Sequence, residues 1–511
     1  MDSLSEEIWD VVIVGTSIPQ SLLALSLSRS GKKVLHIDHH TYYGGNDAAV
    51  SLQDAEEWLK DVEKYPNSAF KAASISRPQS EEENSPTSSL GPSRSYTLSL
   101  NPQIIYAQSN FLPSLVSSRI HNQLEFLAVG SWWVQRDGCI HKIPSTREDV
   151  FNDESLSMKD KRGLMKFLRY VLQEEGESAT DPEDEGDMSL QAAFDTKFKV
   201  PASLHAPLLA LALSSVPASS IPFRKALARI RRHMRSMGYF GPGFGAVIAK
   251  YGGNSEISQV ACRAAAVGGG VYLLGQELTS VSAVDPDAAA TTSSESSLLE
   301  GTLADGTKIK TRFLAGFPSE IPTLENPHGT ESPSDKTWRS INIVSDPLRS
   351  LFPPTSDNGP VPAAAIVLVD DGETSLERCP VYLQVHSDDA GECPPGQCVI
   401  YASVRVQEND ESSKQRLKDA VQSFLDTQGA STSLLWSLSY MVSGLAEDPH
   451  SGYSLLQPSP SVLVFPSESH DIPFSDSVLD VVKAAWRSVI GADADETSFL
   501  RFEAREYDVD D

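Results

Sequence analysis

The sequence predicts a mixed α/β fold carrying an inserted all-helical block, and three features predict it. The chain opens as strand, helix, strand; residues 155–237 repeat apolar side chains at helical spacing; and from Gly270 onward short β-branched runs return. Trp9 to Val14 is a β-branched run that reads as the first strand. Ile18 to Ser30, with Leu22, Leu23, Leu25 and Leu27, reads as a helix; Ser17 stands where an N-cap belongs, Pro19 lies in the first turn and Gly31 follows the end. Lys33 to Ile37 completes a βαβ unit, the usual start of an FAD/NAD(P)-binding-like fold.

Farther on, Leu164, Phe167, Leu168, Val171 and Leu172 mark a helix over Ser155 to Leu172, with Ser157 and Asp160 set as a capping box. Leu190 to Val216 reads as a second helical block and Phe223 to Met237 as an arginine-dense third. Gly270 to Leu274 is a strand after a glycine-rich turn, and Leu299 to Thr311 a hairpin about Asp305-Gly306. Ala363 to Val369, Val381 to Val385 and Val399 to Val406 are further strands, with a helix near Ser413 to Thr427. Discontinuous residues 1–145 and 238–511 therefore form the large domain and 146–237 the helical one. Segments 76–95, 174–189, 288–297, 318–336 and 353–362 are rich in Ser, Pro and acidic residues without hydrophobic period; they read as surface insertions or linkers, with 76–95, 174–189 and 318–336 expected to be disordered.

Composition narrows function. The 511 residues exceed one ordinary core, and the formal charge is −27, from 69 acidic and 42 basic residues. That balance argues against nucleic acid and against stable binding to an anionic bilayer, both of which need Lys/Arg clusters. Five cysteines without CxxC spacing read as reduced thiols of the cytosol. The acidic N-terminus lacks a signal-peptide pattern, and the most apolar window, Ala206 to Val216, contains Pro207 and falls short of the roughly 20 residues that span a bilayer. The terminal Tyr507-Asp508-Val509-Asp510-Asp511 offers no cysteine for prenylation.

The dinucleotide fingerprint is degenerate. G-x-G-x-x-G places its glycines for a tight turn, for backbone approach to the pyrophosphate and for close helix packing. Here Gly15 keeps the turn, Ser17 replaces the second glycine and Gln20 the third, while Asp38 stays in the position of the ribose-binding acid. A Cβ at the second position and a long side chain at the third both oppose a pyrophosphate, so no functional FAD and no other cofactor is expected. His36, His39 and His40 read as strand-end or loop histidines, since a metal site would need a further ligand brought in by the fold, and none is expected. No catalytic residue is assigned: P-loop, G-x-S-x-G elbow and zinc-ligand cluster are all missing.

Two separated blocks carry a resemblance. Gly15-Thr16-Ser17, Val34 to Asp38 and Thr41-Tyr42-Tyr43-Gly44-Gly45-Asn46 form one; Met237 to Phe240, Tyr251 to Arg263 and Ala266 to Leu273 form the other. In order and spacing they resemble the Rab escort protein and GDP-dissociation inhibitor superfamily. Leu124 to Thr146 is similar too, and Arg147 to Phe151, Leu156 to Met158, Lys161 to Leu168 and Leu434 to Tyr440 resemble the escort branch. The pattern departs from the family at Ile257-Ser258, where Leu-Pro is usual, and at Val260.

The resemblance implies a GDI-like large domain and a non-catalytic accessory subunit (component A) of a Rab geranylgeranyltransferase. Its implied partners are GDP-bound Rab GTPases, the transferase α/β heterodimer and the Rab's geranylgeranyl lipid, in the cytosol, with only peripheral, transient membrane contact and a nuclear visit left open. Recycling of lipidated Rabs as a GDP-dissociation inhibitor is the alternative, and a flavin-dependent oxidase on the same fold a remote one. Implied Rab-binding residues are Tyr43, Glu256, Arg263, Val271 and Leu273; the residues alone read equally as a turn tyrosine, an ion pair seven residues apart and one strand face. Candidates for the isoprenoid cleft are Leu164, Phe167, Leu168, Leu208, Leu209 and Leu211, each also readable as plain helix core. For the transferase, Phe223 and Arg235 are the candidates, on a helix whose Arg229, Arg231 and Arg232 also suit a solvated face.

Overall fold

The computed structural model describes residues 2–65, 69–77, 89–144, 157–173, 188–284, 298–322, 334–355, 359–370, 372, 376–407, 409–429, 432–445, 454–467, 469 and 471–503. Strand β1 (Ile8–Val14), helix α1 (Ile18–Arg29) and β2 (Val34–Asp38) form the opening βαβ unit. Helix α2 (Leu52–Lys64) and β3 (Phe70–Ser76) follow, then the long β4 (Phe126–Arg136). Three helices come next, α3 (Met158–Leu172), α4 (His205–Ala212) and α5 (Phe223–Ser236). The chain returns through β5 (Ala246–Ala249), α6 (Asn254–Val267), β6 (Val271–Leu274), β7 (Leu278–Ala283), β8 (Leu299–Leu303) and β9 (Lys308–Gly316). The last part holds β10 (Ser334–Val344), β11 (Ala364–Val369), β12 (Val381–Ser387), β13 (Cys398–Arg405), α7 (Asp410–Gln428), β14 (Leu434–Leu445), β15 (Val462–Val464) and α8 (Ser477–Ile490).

Two large sheets organise these elements. The first runs β6-β2-β1-β9-β8-β7; its first four strands are parallel, the β7-β8-β9 part is antiparallel, and β15 joins β9 in parallel. The second runs β3-β14-β10-β13-β12-β11-β4-β5, antiparallel except where β11 meets β4. Helix α1 has small or apolar residues all round, so it is buried on nearly every side, between α6 and α8. By contrast α5 is strongly amphipathic; its Phe223, Ala226, Leu227 and Ile230 join Phe167, Phe194 and Leu209 in one core with Trp132, Ile366 and Tyr382 of the second sheet. The helical block thus packs on a sheet face, and the Tyr382 hydroxyl donates to Leu209 O at 3.2 Å.

Four local expectations change. Ser17 occupies the N-cap position but its side chain does not cap; Asp47 Oδ2 accepts from Ile18 N at 3.2 Å instead. Leu190 to Val216 is not one helical run: a wide π-type turn at Ala193–Phe198 ends at Lys199, whose φ of 53 is left-handed, before Val200-Pro201 and α4. Segment 318–336 is not wholly an insertion, since Ile321 is buried and Ser334 onward lies in β10, paired on both sides; 323–333 falls outside the described residues. Of 76–95, Ser76 ends β3 and Ser93 Oγ donates to Ser51 Oγ at 3.1 Å, while 78–88, like 174–187 and 288–297, lies outside the described residues.

Candidate functional site: a filled cradle beside an outward-facing edge

The turn between β1 and α1 is where this kind of fold holds a dinucleotide. Gly15, at φ +86, makes the tight turn and its N–H donates to Ile37 O at 2.8 Å. The space over it is taken by the chain itself. Gln20 Nε2 donates to Val14 O at 3.2 Å and to Glu320 Oε2 at 2.9 Å, and Phe317 N donates to the same oxygen at 2.8 Å. A Cβ on Gly15 would lie 2.0 Å from Glu320 Oε1 and 2.7 Å from Gln20 Nε2. Burial pushes the Glu320 carboxyl up to about 8, with the Asp38 charge adding to the rise and the Phe317 and Gln20 bonds opposing it.

Neighbouring groups are equally engaged. Ser17 Oγ donates to Gly44 O at 3.2 Å and accepts from Asn46 N at 3.1 Å. Thr16 Oγ1 donates to Asp38 Oδ2 at 2.6 Å and accepts from Gly44 N at 2.9 Å. Asp47, buried and pushed up by that burial, accepts from Ile18 N at the N-terminus of α1 and from Asn101 Nδ2 at 2.8 Å and Asn254 Nδ2 at 3.3 Å. The helix end that would meet a phosphate is already capped, and the position over Gly15 is filled. This donor set and this space do not fit a pyrophosphate.

Outward of the cradle lies the edge of the first sheet. Tyr43, on the loop after β2, meets Tyr272 of β6 edge-on, with ring centroids 5.9 Å apart. Tyr272 in turn packs on His36 at 4.9 Å, and His36 Nε2 bonds Gly15 O. Burial lowers His36 to about 4, so the ring is neutral and Nε2–H donates. Helix α6 sets Glu256 in its first turn and Arg263 farther along. Burial raises Glu256, the Arg263 charge opposing it, yet the guanidinium does not bond that carboxylate: Arg263 Nη1 donates to Gln123 Oε1 at 3.2 Å. Val271 and Leu273 share one face of β6, packed against the cluster that holds Leu35 and Ile37. Tyr272 joins the opposite cluster, with α1 and α6. Tyr43, Glu256 and Arg263 therefore lie on the α6 side, and Val271 and Leu273 on the reverse face of the same edge strand.

The remaining candidates are placed as follows. Leu164, Phe167, Leu208, Leu209 and Leu211 are buried and Leu168 half-buried in one core cluster; Phe167 meets Phe194 and Phe198 edge-on at 5.5 and 5.2 Å. Only Leu211 among these six borders the cavity between α5 and β4, whose volume is about 30 Å³. Phe223 does not offer an exposed anchor: it is 0% exposed, enclosed by Tyr170 and Phe198, because it begins the apolar face of α5. Arg235 is exposed. Arg229 donates to Asp471, Arg231 to Val171 O and Arg232 to Phe474 O, so these three are struts within the fold and not a solvated face. His39 and His40 sit beside Asp38; burial, then His40, lowers His39 to about 4. Sequence reasoning missed Asp47, Tyr272 and Glu320. Tyr272 lay between two named residues, Asp47 directly followed the Gly44-Gly45-Asn46 turn, and Glu320 had no sequence signal.

The family model described as GDP dissociation inhibitor matches residues 4–350. The Saccharomyces cerevisiae protein named "Rab proteins geranylgeranyltransferase component A" is 32% identical over 78% of this chain and 62% of its own length. Its namesake in Candida albicans is 29% identical over 78% and 59%. The chain thus spans about 60% of the length of these two relatives. Of solved structures, a Rab GDI from Plasmodium falciparum superposes with a TM-score of 0.63 at 20% identity, covering 94% of this chain and 98% of that one. A Methanosarcina mazei oxidoreductase gives 0.54 at 13%, over 93% and 99%. The dinucleotide-type fold is shared by both, and, with a family match extending over more than half its length, the chain belongs to the GDP dissociation inhibitor family.

Proposed function

We propose that this chain is the non-catalytic escort subunit of a Rab geranylgeranyltransferase. It binds GDP-bound Rab GTPases, presents them to the catalytic α/β heterodimer, keeps the geranylgeranyl product in solution and hands it to membranes, working from the cytosol and binding no dinucleotide. The observation that carries the reading is the pairing of a cradle filled by Gln20 and Glu320 with half-buried Tyr43 and Glu256 and exposed Arg263 on the adjoining edge. An aromatic hydroxyl, a carboxylate and a guanidinium supply oriented polar contacts for a protein partner, and a partner that wraps the edge strand also meets apolar Val271 and Leu273 on its other face. The names of the yeast relatives support the escort reading over simple recycling, as does their coverage of 78% of this chain against 54% for a Schizosaccharomyces pombe protein named as a probable GDP dissociation inhibitor.

A carrier has a physical purpose here: exposing a lipid of about 20 carbons costs on the order of 10 kcal/mol, doubled for two. Leu164, Phe167, Leu168, Leu208, Leu209 and Leu211 are the side chains that would have to part to admit it, and Arg235 is the exposed candidate toward the transferase. Among the described residues no helix is long and apolar enough to cross a membrane.

The test is a reconstituted prenylation reaction with the catalytic heterodimer, an unmodified Rab and geranylgeranyl pyrophosphate, with and without this chain. Lipid transfer should require the chain, and Arg263→Ala or Tyr43→Ala should weaken Rab binding about tenfold with the melting temperature unchanged. Transfer that proceeds equally well without the chain removes the escort reading, and unaltered affinity in both variants removes the platform.

A further inference from the structure

At the C-terminal end of β2 the fold brings together three ligand-type side chains that the cradle does not use up. Asp38 Oδ1 lies 3.0 Å from His40 Nδ1 and 3.6 Å from His39 Nδ1, and the three ligand atoms all fall within 4.8 Å of one another. Around a four-coordinate ion with ligands at about 2.1 Å, neighbouring ligand atoms stand about 3.4 Å apart. The 3.0 and 3.6 Å separations bracket that edge length, so small side-chain shifts fill three of the four positions.

The surroundings resemble a metal site's supporting layer. Thr16 Oγ1 holds the other carboxylate oxygen at 2.6 Å, which fixes the carboxylate plane and leaves Oδ1 for the histidines. His40 N donates to Oδ1 at 2.9 Å and Gly275 N donates to His40 O at 2.8 Å, so the backbone of the loop is pinned. The rings are held as well: His39 and His40 lie tilted against each other with centroids 3.7 Å apart, His40 stacks on Tyr42 at 4.7 Å, and His39 meets Tyr65 edge-on at 5.2 Å. His39 and His40 remain 28% and 18% exposed, which leaves an entry path and an open side for water. His36, the third histidine of the stretch, is turned away to Gly15 O and takes no part.

We propose that Asp38, His39 and His40 form a binding site for a divalent transition-metal ion, with zinc the best match to one carboxylate and two imidazoles and with water completing the shell. The ion takes the place of the proton that His40 Nδ1 shares with Asp38 Oδ1, and it ties the end of β2 to the loop that carries Tyr43.

The experiment uses the full chain without a histidine tag. Zn(II) is titrated by calorimetry, and Co(II) serves as a spectroscopic probe through its visible ligand-field band. One equivalent should bind with the strong absorption of a low-coordinate Co(II) site, and both signals should fall at least tenfold in His39→Ala/His40→Ala, while His141→Ala, at an exposed histidine elsewhere, behaves like the parent. Circular dichroism and the metal-free melting temperature verify that the double variant is folded; if it is not, the His40→Gln single variant gives the same reading. Failure of the parent chain to bind either ion overturns the proposal, and so does equal binding by the folded variant. Rab affinity is measured separately, so the two conclusions fail independently.

Discussion

Glu320→Gln is the perturbation that most directly probes the filled cradle. In the fold the carboxyl is pushed up from 4.5 to about 8 by burial against Gln20, Phe317 and Gly15. Its folded-state value is raised, so below about 4.5 both folded and unfolded chains hold the proton and pH has no effect through this group. Between about 4.5 and 8 the unfolded chain releases the proton while the folded one keeps it, and stability falls by up to about 1.4 kcal/mol per pH unit. Above about 8 both states are ionised and the loss levels off. The rise from 4.5 to about 8 corresponds to about 5 kcal/mol across the whole window. Glutamine matches the protonated acid in shape, accepts from Gln20 and Phe317 through its carbonyl oxygen and never ionises. The variant should therefore gain on the parent steadily from pH 5 to 8 and run parallel to it above. Melting temperatures of both proteins in matched buffers from pH 5 to 9 measure this directly. Parallel curves across pH 5 to 8 would refute the burial of an acid in the cradle.

Asp47→Ala strands Ile18 N, Asn101 and Asn254 and removes a carboxylate near the buried Arg339, at a cost of about 3 kcal/mol or more in urea unfolding; a loss under about 1 kcal/mol would contradict the network. Phe167→Ala should cost about 3–5 kcal/mol because the ring is wholly buried, whereas exposed Arg235→Ala should stay within about 0.5. A cost for Phe167→Ala nearer 1 kcal/mol would mean that the ring lines a preformed cleft. A thiol reagent should modify Cys139 rapidly in the native protein and the buried Cys262, Cys379, Cys393 and Cys398 only on unfolding, a count read by mass spectrometry.

Much of this was legible in the residues. The βαβ opening, the capping box at Ser157 and Asp160 and the hairpin about Asp305-Gly306 are local patterns in which side-chain period and turn chemistry leave little choice, and each element forms within a residue or a few of its expected bounds. The loss of two glycines from the cradle and the two blocks around Tyr43 and Glu256 were also local. Long β10 was less readable, because its first residues are polar and its place in the sheet comes from pairing with β13 and β14.

Sequence by itself determined which faces are apolar and which turn had lost its glycines, since period and Cβ sterics are properties of neighbours along the chain. What fills that turn was decided only by tertiary structure: Glu320 reaches Gln20 from 300 residues away, and no local pattern records such a meeting. The same holds for α5, where an amphipathic period fixes an apolar stripe but cannot say that Phe223 is enclosed or that Arg229 finds Asp471. It holds again at the end of β2, where adjacent letters come together as a cluster because the loop turned two imidazoles toward one carboxylate oxygen.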